Sequence, residues 1–142
     1  MNADARPVPV ADADSAPFWD GCRAGELRLQ QCADCGAHRY PPASLCPACG
    51  GGETRWAALS GRGTVFSWIV VVHPIPRAVY ADEVPYVVAL IDLEEGVHMA
   101  SNIVGCAPED VTAGMPVEVV FEKVSEEITL PKFRPVEGAP DR

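Results

Sequence analysis

Two matched cysteine pairs, Cys32-Ala-Asp-Cys35-Gly36 and Cys46-Pro-Ala-Cys49-Gly50, stand ten residues apart in this chain. A Cys-x-x-Cys turn aims two sulfurs at one point, and a glycine after the second cysteine lets the backbone reverse tightly. Two such knuckles supply four thiolates at tetrahedral corners, the shell zinc takes with sulfur at about 2.3 Å. The spacing therefore predicts one zinc ion held by Cys32, Cys35, Cys46 and Cys49. Two alternatives share these residues. A disulfide framework is opposed by a reducing compartment, and a rubredoxin-like iron centre would carry electrons. With all four positions filled by protein, no place remains for water or substrate. The expected role is a staple for a module too small to make its own core.

Composition narrows the rest. Hydrophobic residues make up 48% of the 142 positions, which is ordinary for a globular core. The apolar stretch ending at Val72 is far shorter than the about 20 residues that span a bilayer. The N-terminal MNADARPVPVADADSAP has neither the basic start nor the apolar centre of a signal peptide, so a cytoplasmic protein with no membrane partner is expected. Eleven basic against twenty acidic side chains oppose a nucleic-acid partner, because duplex binding rests on neutralising phosphates. Cys22 and Cys106 read as free, ordinary thiols. Only His38, His73 and His98 could serve as a base, and nothing in the local sequence pairs one with either cysteine.

Along the chain, residues 1–13 read as a disordered tail. Ser15 reads as an N-cap and Pro17 as lying close to N1, opening a short helix through Phe18, Trp19, Cys22 and Arg23 that ends at Gly25. Leu27 to Gln31 alternates and feeds the first knuckle as a strand. His38-Arg39-Tyr40-Pro41-Pro42 forms the hairpin between knuckles, and Gly50-Gly51-Gly52 is a flexible exit. From Thr64 the pattern is all β: Thr64 to Val72, Tyr86 to Leu93, Val97 to Val104, Val117 to Val124 and Ile128 to Phe133. Thr64 to Val72 is apolar on both faces, as expected of a long barrel strand. About five strands in some 75 residues are too few for an immunoglobulin-like sandwich and fit a five-stranded OB barrel. The expected fold is mainly β: helix and zinc ribbon over 14–58, OB barrel over 59–136, and a tail over 137–142. The proline-bearing loop from His73 to Pro85 would flank the ligand face of such a barrel.

The order of these pieces resembles the acyl-CoA-associated zinc-ribbon OB-fold family, long known only as a domain of unknown function. The matching residues are Phe18-Trp19-x-Gly21, Gly25-Glu26-Leu27, both knuckles, Tyr40-Pro41-Pro42 and Trp56. Ser60-Gly61-Arg62-Gly63-Thr64-Val65, Pro85-Tyr86, Gly114-Met115-Pro116-Val117 and Leu130-Pro131-x-Phe133-x-Pro135 continue the match, which runs from about Ser15 to Val136. Cys22 departs from the pattern, standing where an aliphatic residue is expected.

The resemblance implies a non-catalytic accessory subunit that supports a thiolase-like enzyme, a thiolase or a steroid side-chain aldolase, acting on acyl-CoA thioesters. Other relatives accompany enoyl-CoA hydratases. In that setting Phe18, Trp19 and Tyr40 become partner contacts, since aromatic residues dominate interface hot spots. Arg62, His73, Arg77, Lys132 and Arg134 become the groups that would meet CoA, shared with the partner because clusters of cations are scarce in this acidic chain. Two other readings stand beside this one. A zinc-ribbon OB module could bind single-stranded nucleic acid on aromatic platforms, against the sign of the net charge, −9. Alternatively, the chain could supply catalytic residues in trans, from His73 or Arg77.

Overall fold

A polar turn opens the first element. The Asp12 carboxylate accepts the Ser15 N–H and the Ser15 hydroxyl, each at 2.8 Å, and the Asp12 carbonyl accepts the Ala16 N–H. Helix α1 follows over Ala16–Arg23, with Pro17 in its first turn. Ser15 holds the cap position, but its side chain makes no cap bond because the hydroxyl is turned back onto Asp12. The N–H groups of Gly25 and Glu26 return to the carbonyls of Cys22 and Gly21 and close the helix. The computed structural model describes residues 6–136. The tail expected over 137–142, and the first five residues of the one expected over 1–13, lie outside the described residues.

Three strands build the ribbon: β1 at Arg28–Cys32, β2 at His38–Arg39 and β3 at Thr54–Ala58. They form one antiparallel sheet in the order β2-β1-β3. β3 adds to the hairpin expected from the sequence. It pairs five residues with β1, from Arg28↔Ala58 to Cys32↔Thr54, so the chain leaving the second knuckle returns along the first.

Five strands then close a barrel: β4 (Arg62–Val71), β5 (Tyr86–Leu93), β6 (His98–Ile103), β7 (Pro116–Lys123) and β8 (Thr129–Pro135). The closed order is β4-β5-β6-β8-β7, in which β6 and β8 meet in parallel at Ile103↔Phe133 and the other neighbours run antiparallel. Val87, Ala89, Ile91 and Leu93 alternate inward along β5, the period that a half-solvated sheet requires. A single helical turn, α2 (Arg77–Tyr80), interrupts the loop between β4 and β5, and a 3-10 turn covers Pro108–Asp110. No described helix is long and apolar enough to cross a membrane.

One apolar cluster runs through both parts. Phe18, Cys22, Leu27 and Leu29 from the helix and ribbon join Val65, Ile91, Met99, Val117 and Phe133 of the barrel. Helix α1 makes the join, because it touches β1 on one side and β7 and β8 on the other. β4 departs from expectation. Although apolar on both faces, only Val65 along it is buried.

Close packing at the joint sets a testable limit. A Cβ added at Gly21 would stand 2.7 Å from the Glu26 carbonyl oxygen and 2.8 Å from Arg28 Cγ. Gly21→Ala is therefore expected to destabilise the chain by about 1–3 kcal/mol through overpacking, read as a lower thermal midpoint. A midpoint equal to wild type would show that the helix can ride further from β1.

Candidate metal centre and its surroundings

The two knuckles repeat one set of bonds. The Cys32 carbonyl accepts the Gly36 N–H at 2.9 Å, and the Cys46 carbonyl accepts the Gly50 N–H at 2.8 Å. The N–H of each leading cysteine donates to a carbonyl just beyond its glycine, Cys32 to Ala37 and Cys46 to Gly51, both at 2.9 Å. Gly36 and Gly50 take φ of +81° and +77°, a region closed to most side-chain-bearing residues. Cys32 and Cys46 are buried, Cys35 and Cys49 exposed, and all four sulfurs lie within 4.8 Å of one another.

The sulfur geometry removes the disulfide alternative. Cys32 Sγ and Cys49 Sγ are 3.6 Å apart, and Cys35 Sγ and Cys46 Sγ 3.7 Å. These are free thiols at non-bonded separation. A tetrahedron with sulfur about 2.3 Å from its centre has edges of about 3.8 Å, so the donors fit a zinc shell. Electrostatics agrees. The N–H groups of Cys35 and Asp34 bond the Cys32 sulfur and lower its pKa, while burial opposes them. The Cys46 thiol is lowered to about 7, chiefly by the Cys49 N–H. At Cys49 the Gly51 N–H favours the thiolate, but the sulfurs of Cys32, Cys35 and Cys46 outweigh it and push the thiol up to about 12. Backbone donors and mutual repulsion together define a cluster that ionises fully only around a cation. These four cysteines would hold one zinc ion in a closed structural site.

Arg39 is buried in the same ribbon, and nothing in its sequence surroundings foretold it. Its residue is only 6% exposed. Nε and Nη2 donate to the Ala43 carbonyl at 3.2 and 2.8 Å, Nη2 also reaches the Thr54 hydroxyl, and Nη1 is buried without a partner. No carboxylate is among these partners. Thr54 is the ladder partner of Cys32, so the guanidinium is anchored one strand from the thiolates.

The aromatic trio sits at the joint above the ribbon. Phe18 is 4% exposed and faces the chain's own core, covered by Trp19 edge-on at 4.9 Å and Tyr40 at 5.8 Å between ring centroids. Trp19 and Tyr40 are half-buried. The Cys22 thiol beneath them is pushed up to about 12 by burial, and burial also raises that of Cys106, so neither is an activated nucleophile.

The five groups considered for CoA divide rather than converge. Arg62 lines a cavity of about 590 Å³ with Thr64, Asp92 and Glu94. Lys132 lines another, of about 360 Å³, with Arg6, Tyr80, Tyr86 and Asn102. His73 and Arg77 are exposed on the β4–β5 loop and line neither. Arg134 pairs with Glu118 at 3.4 Å, and Glu118 is also the ladder partner of Arg62. Lys132 pairs with Glu122, which also accepts Arg6 at 3.0 Å, and Arg6 reaches Glu83 at 3.3 Å. His98 stands exposed beside Asp92 at 3.7 Å.

The chain matches the family model described as the rubredoxin-like zinc ribbon domain of ChsH2 over residues 19–55, and that described as the ChsH2 C-terminal OB-fold domain over 56–122. A DUF35 domain-containing scaffold protein of Methanocaldococcus jannaschii is 40% identical over 115 residues, 76% of this chain and 80% of that protein. The chain belongs to the DUF35 family. A solved DUF35 chain, that of the Ltp2-ChsH2(DUF35) aldolase, is 40% identical with a TM-score of 0.79, covering 90% of this chain and 98% of that one. Two longer relatives are named as α subunits: a probable enoyl-CoA hydratase of Thermomonospora curvata, 40% identical, and the 3-oxo-4,17-pregnadiene-20-carboxyl-CoA hydratase of Mycobacterium tuberculosis, 42% identical. The match covers 92% and 85% of this chain, but only 40% and 38% of those subunits' length.

Two outcomes test the site. Arg39→Gln is expected to lose zinc to a chelating dye faster than wild type and to melt earlier, by about 2 kcal/mol, because the guanidinium's buried partners lose their donor. Equal zinc retention would show that the Arg39 bonds to Ala43 and Thr54 do not help hold the ribbon around its cysteines. The second outcome concerns pH. The Lys132 hydrogen bond, with help from Arg6, lowers the Glu122 pKa from 4.5. That stabilisation is full above the unfolded carboxyl's pKa and is lost as pH falls through the folded value. Glu122→Gln should therefore flatten the acid limb of a plot of thermal midpoint against pH, measured below about pH 5. An unchanged slope would place the acid sensitivity elsewhere.

Proposed function

We propose that this DUF35 chain is a non-catalytic accessory subunit of an acyl-CoA-processing enzyme, and that its partner is a thiolase-fold subunit, a thiolase or an aldolase acting on CoA thioesters. The observation that carries the reading is the 40% identity, across 98% of its length, to the DUF35 chain of an aldolase. Relatives named as a scaffold and as hydratase α subunits support the accessory role and leave a hydratase as a further partner. The chemistry of this chain agrees with support rather than turnover. Its zinc shell is closed by four cysteines, and its two spare thiols are held protonated by burial.

CoA would be shared across the interface. Lys132 and Arg134 already carry carboxylate partners, and the formal charge is −9, so a phosphate-bearing ligand needs cations from a second protein. Arg62, His73 and Arg77 remain the exposed groups that could complete such a site from this side. Trp19 and Tyr40 offer half-buried aromatic edges to a partner, with Phe18 supporting them from beneath.

Co-expression with a thiolase-fold enzyme encoded beside this chain is the test. A stable complex on a sizing column is the expected result, with turnover of a CoA thioester by the complex and none by the DUF35 chain alone. Clean separation of the two proteins at micromolar concentration would overturn the reading.

A further inference from the structure

The barrel closes completely at only one end of β4. The ladder to β7 covers Arg62, Gly63 and Thr64, and Val65 is then bonded to the 114–115 turn, donating to Met115 and accepting from Gly114. A bulge follows between Val65 and Ser67. Beyond it β4 pairs only with β5, through to Val71↔Tyr86, so its other side has no strand against it among the described residues. In an antiparallel pair alternate residues turn their N–H and C=O groups away from the neighbour, and here those groups face outward.

This open edge is unguarded in chemistry as well. Thr64 to Val72 contains no charged residue, no proline and no glycine. Phe66 is 57% exposed, Ile69 62% and Val72 54%, with Val70 also exposed. Proteins blunt such edges with lysine, proline or a covering loop, because an apolar, β-branched edge templates another strand. Here the bulge is the single guard, and it lies at the end already covered by the 114–115 turn.

Building on the proposed accessory role, we infer that Phe66–Val72 is a docking edge to which the partner enzyme subunit adds a strand. Charge selects this occupant. Two copies of a chain carrying −9 repel one another, and an anionic membrane surface repels it as well. A neutral or basic protein surface offering an apolar edge strand meets no such barrier. Main-chain bonds would supply affinity, and the side chains of Phe66, Ile69 and Val72 would supply selectivity.

The experiment uses the full chain and the thiolase-fold subunit of the co-expression above. Ile69→Lys with Val70→Lys places two charges on exposed positions. It should weaken assembly at least tenfold while zinc content and thermal midpoint stay at wild-type values, and Leu45→Lys, an exposed apolar site on the ribbon, should leave assembly unchanged. In parallel, hydrogen exchange on the wild-type pair should show amides of residues 66–72 becoming protected on binding, a reading that does not depend on any variant folding. Assembly and exchange both unaltered at this edge would overturn the docking role while leaving the accessory function intact. Failure of the wild-type proteins to associate would remove both. A concentration-dependent dimer of the chain alone, abolished by the lysine pair, would assign the edge to a second copy and overturn the inference.

Discussion

Four sulfurs held within van der Waals reach of one another cannot all be thiolates without a cation among them. The ribbon is built on that constraint. Its knuckle bonds place N–H groups against Cys32 and Cys46, and its glycines allow the turns that bring the second pair back to the first. With so few apolar residues between the knuckles, the metal does for the ribbon what an interior does for a larger domain. Arg39 ties β2 of the ribbon sheet to the Ala43 carbonyl and to Thr54, the ladder partner of Cys32.

The barrel has an interior of its own, yet the two parts share one apolar cluster because α1 sits between them. Phe18 and Cys22 reach inward, and Leu27 and Leu29 carry the same surface into β1. This makes the helix a structural joint before it is anything else. The aromatic edges left at its rim, Trp19 and Tyr40, are held in fixed directions by Phe18, which is the condition under which an aromatic side chain contributes most to an interface.

What was legible in the sequence followed from local chemistry. The zinc site could be read because Cys-x-x-Cys geometry is set within four residues. Tyr86 to Leu93 could be read to the residue because its alternation is clean and a Glu-Glu-Gly turn ends it. β3 was hidden because its partner is β1, more than twenty residues back, and a run of three glycines precedes it. Ser15 takes the expected cap position, but its hydroxyl makes no cap bond because Asp12 competes for it. β4 shows a deeper limit. An apolar run on both faces signals burial on both sides in most proteins, and nothing in the string distinguishes burial within the chain from a surface left bare. Arg39 was opaque for the opposite reason, since arginine is rarely buried and its partners are carbonyls and hydroxyls scattered over fifteen positions.

The burial of alternate cysteines gives the metal site a direction. Cys32 and Cys46 are enclosed and Cys35 and Cys49 face solvent, so a competing chelator or an oxidant meets the later cysteine of each knuckle first. Zinc would then leave by way of its outer ligands while Cys32, seated in β1 opposite Thr54, still holds the sheet. Loss of metal would run from the tip of the ribbon inward, toward a barrel whose closed ring of strands does not depend on the cysteines.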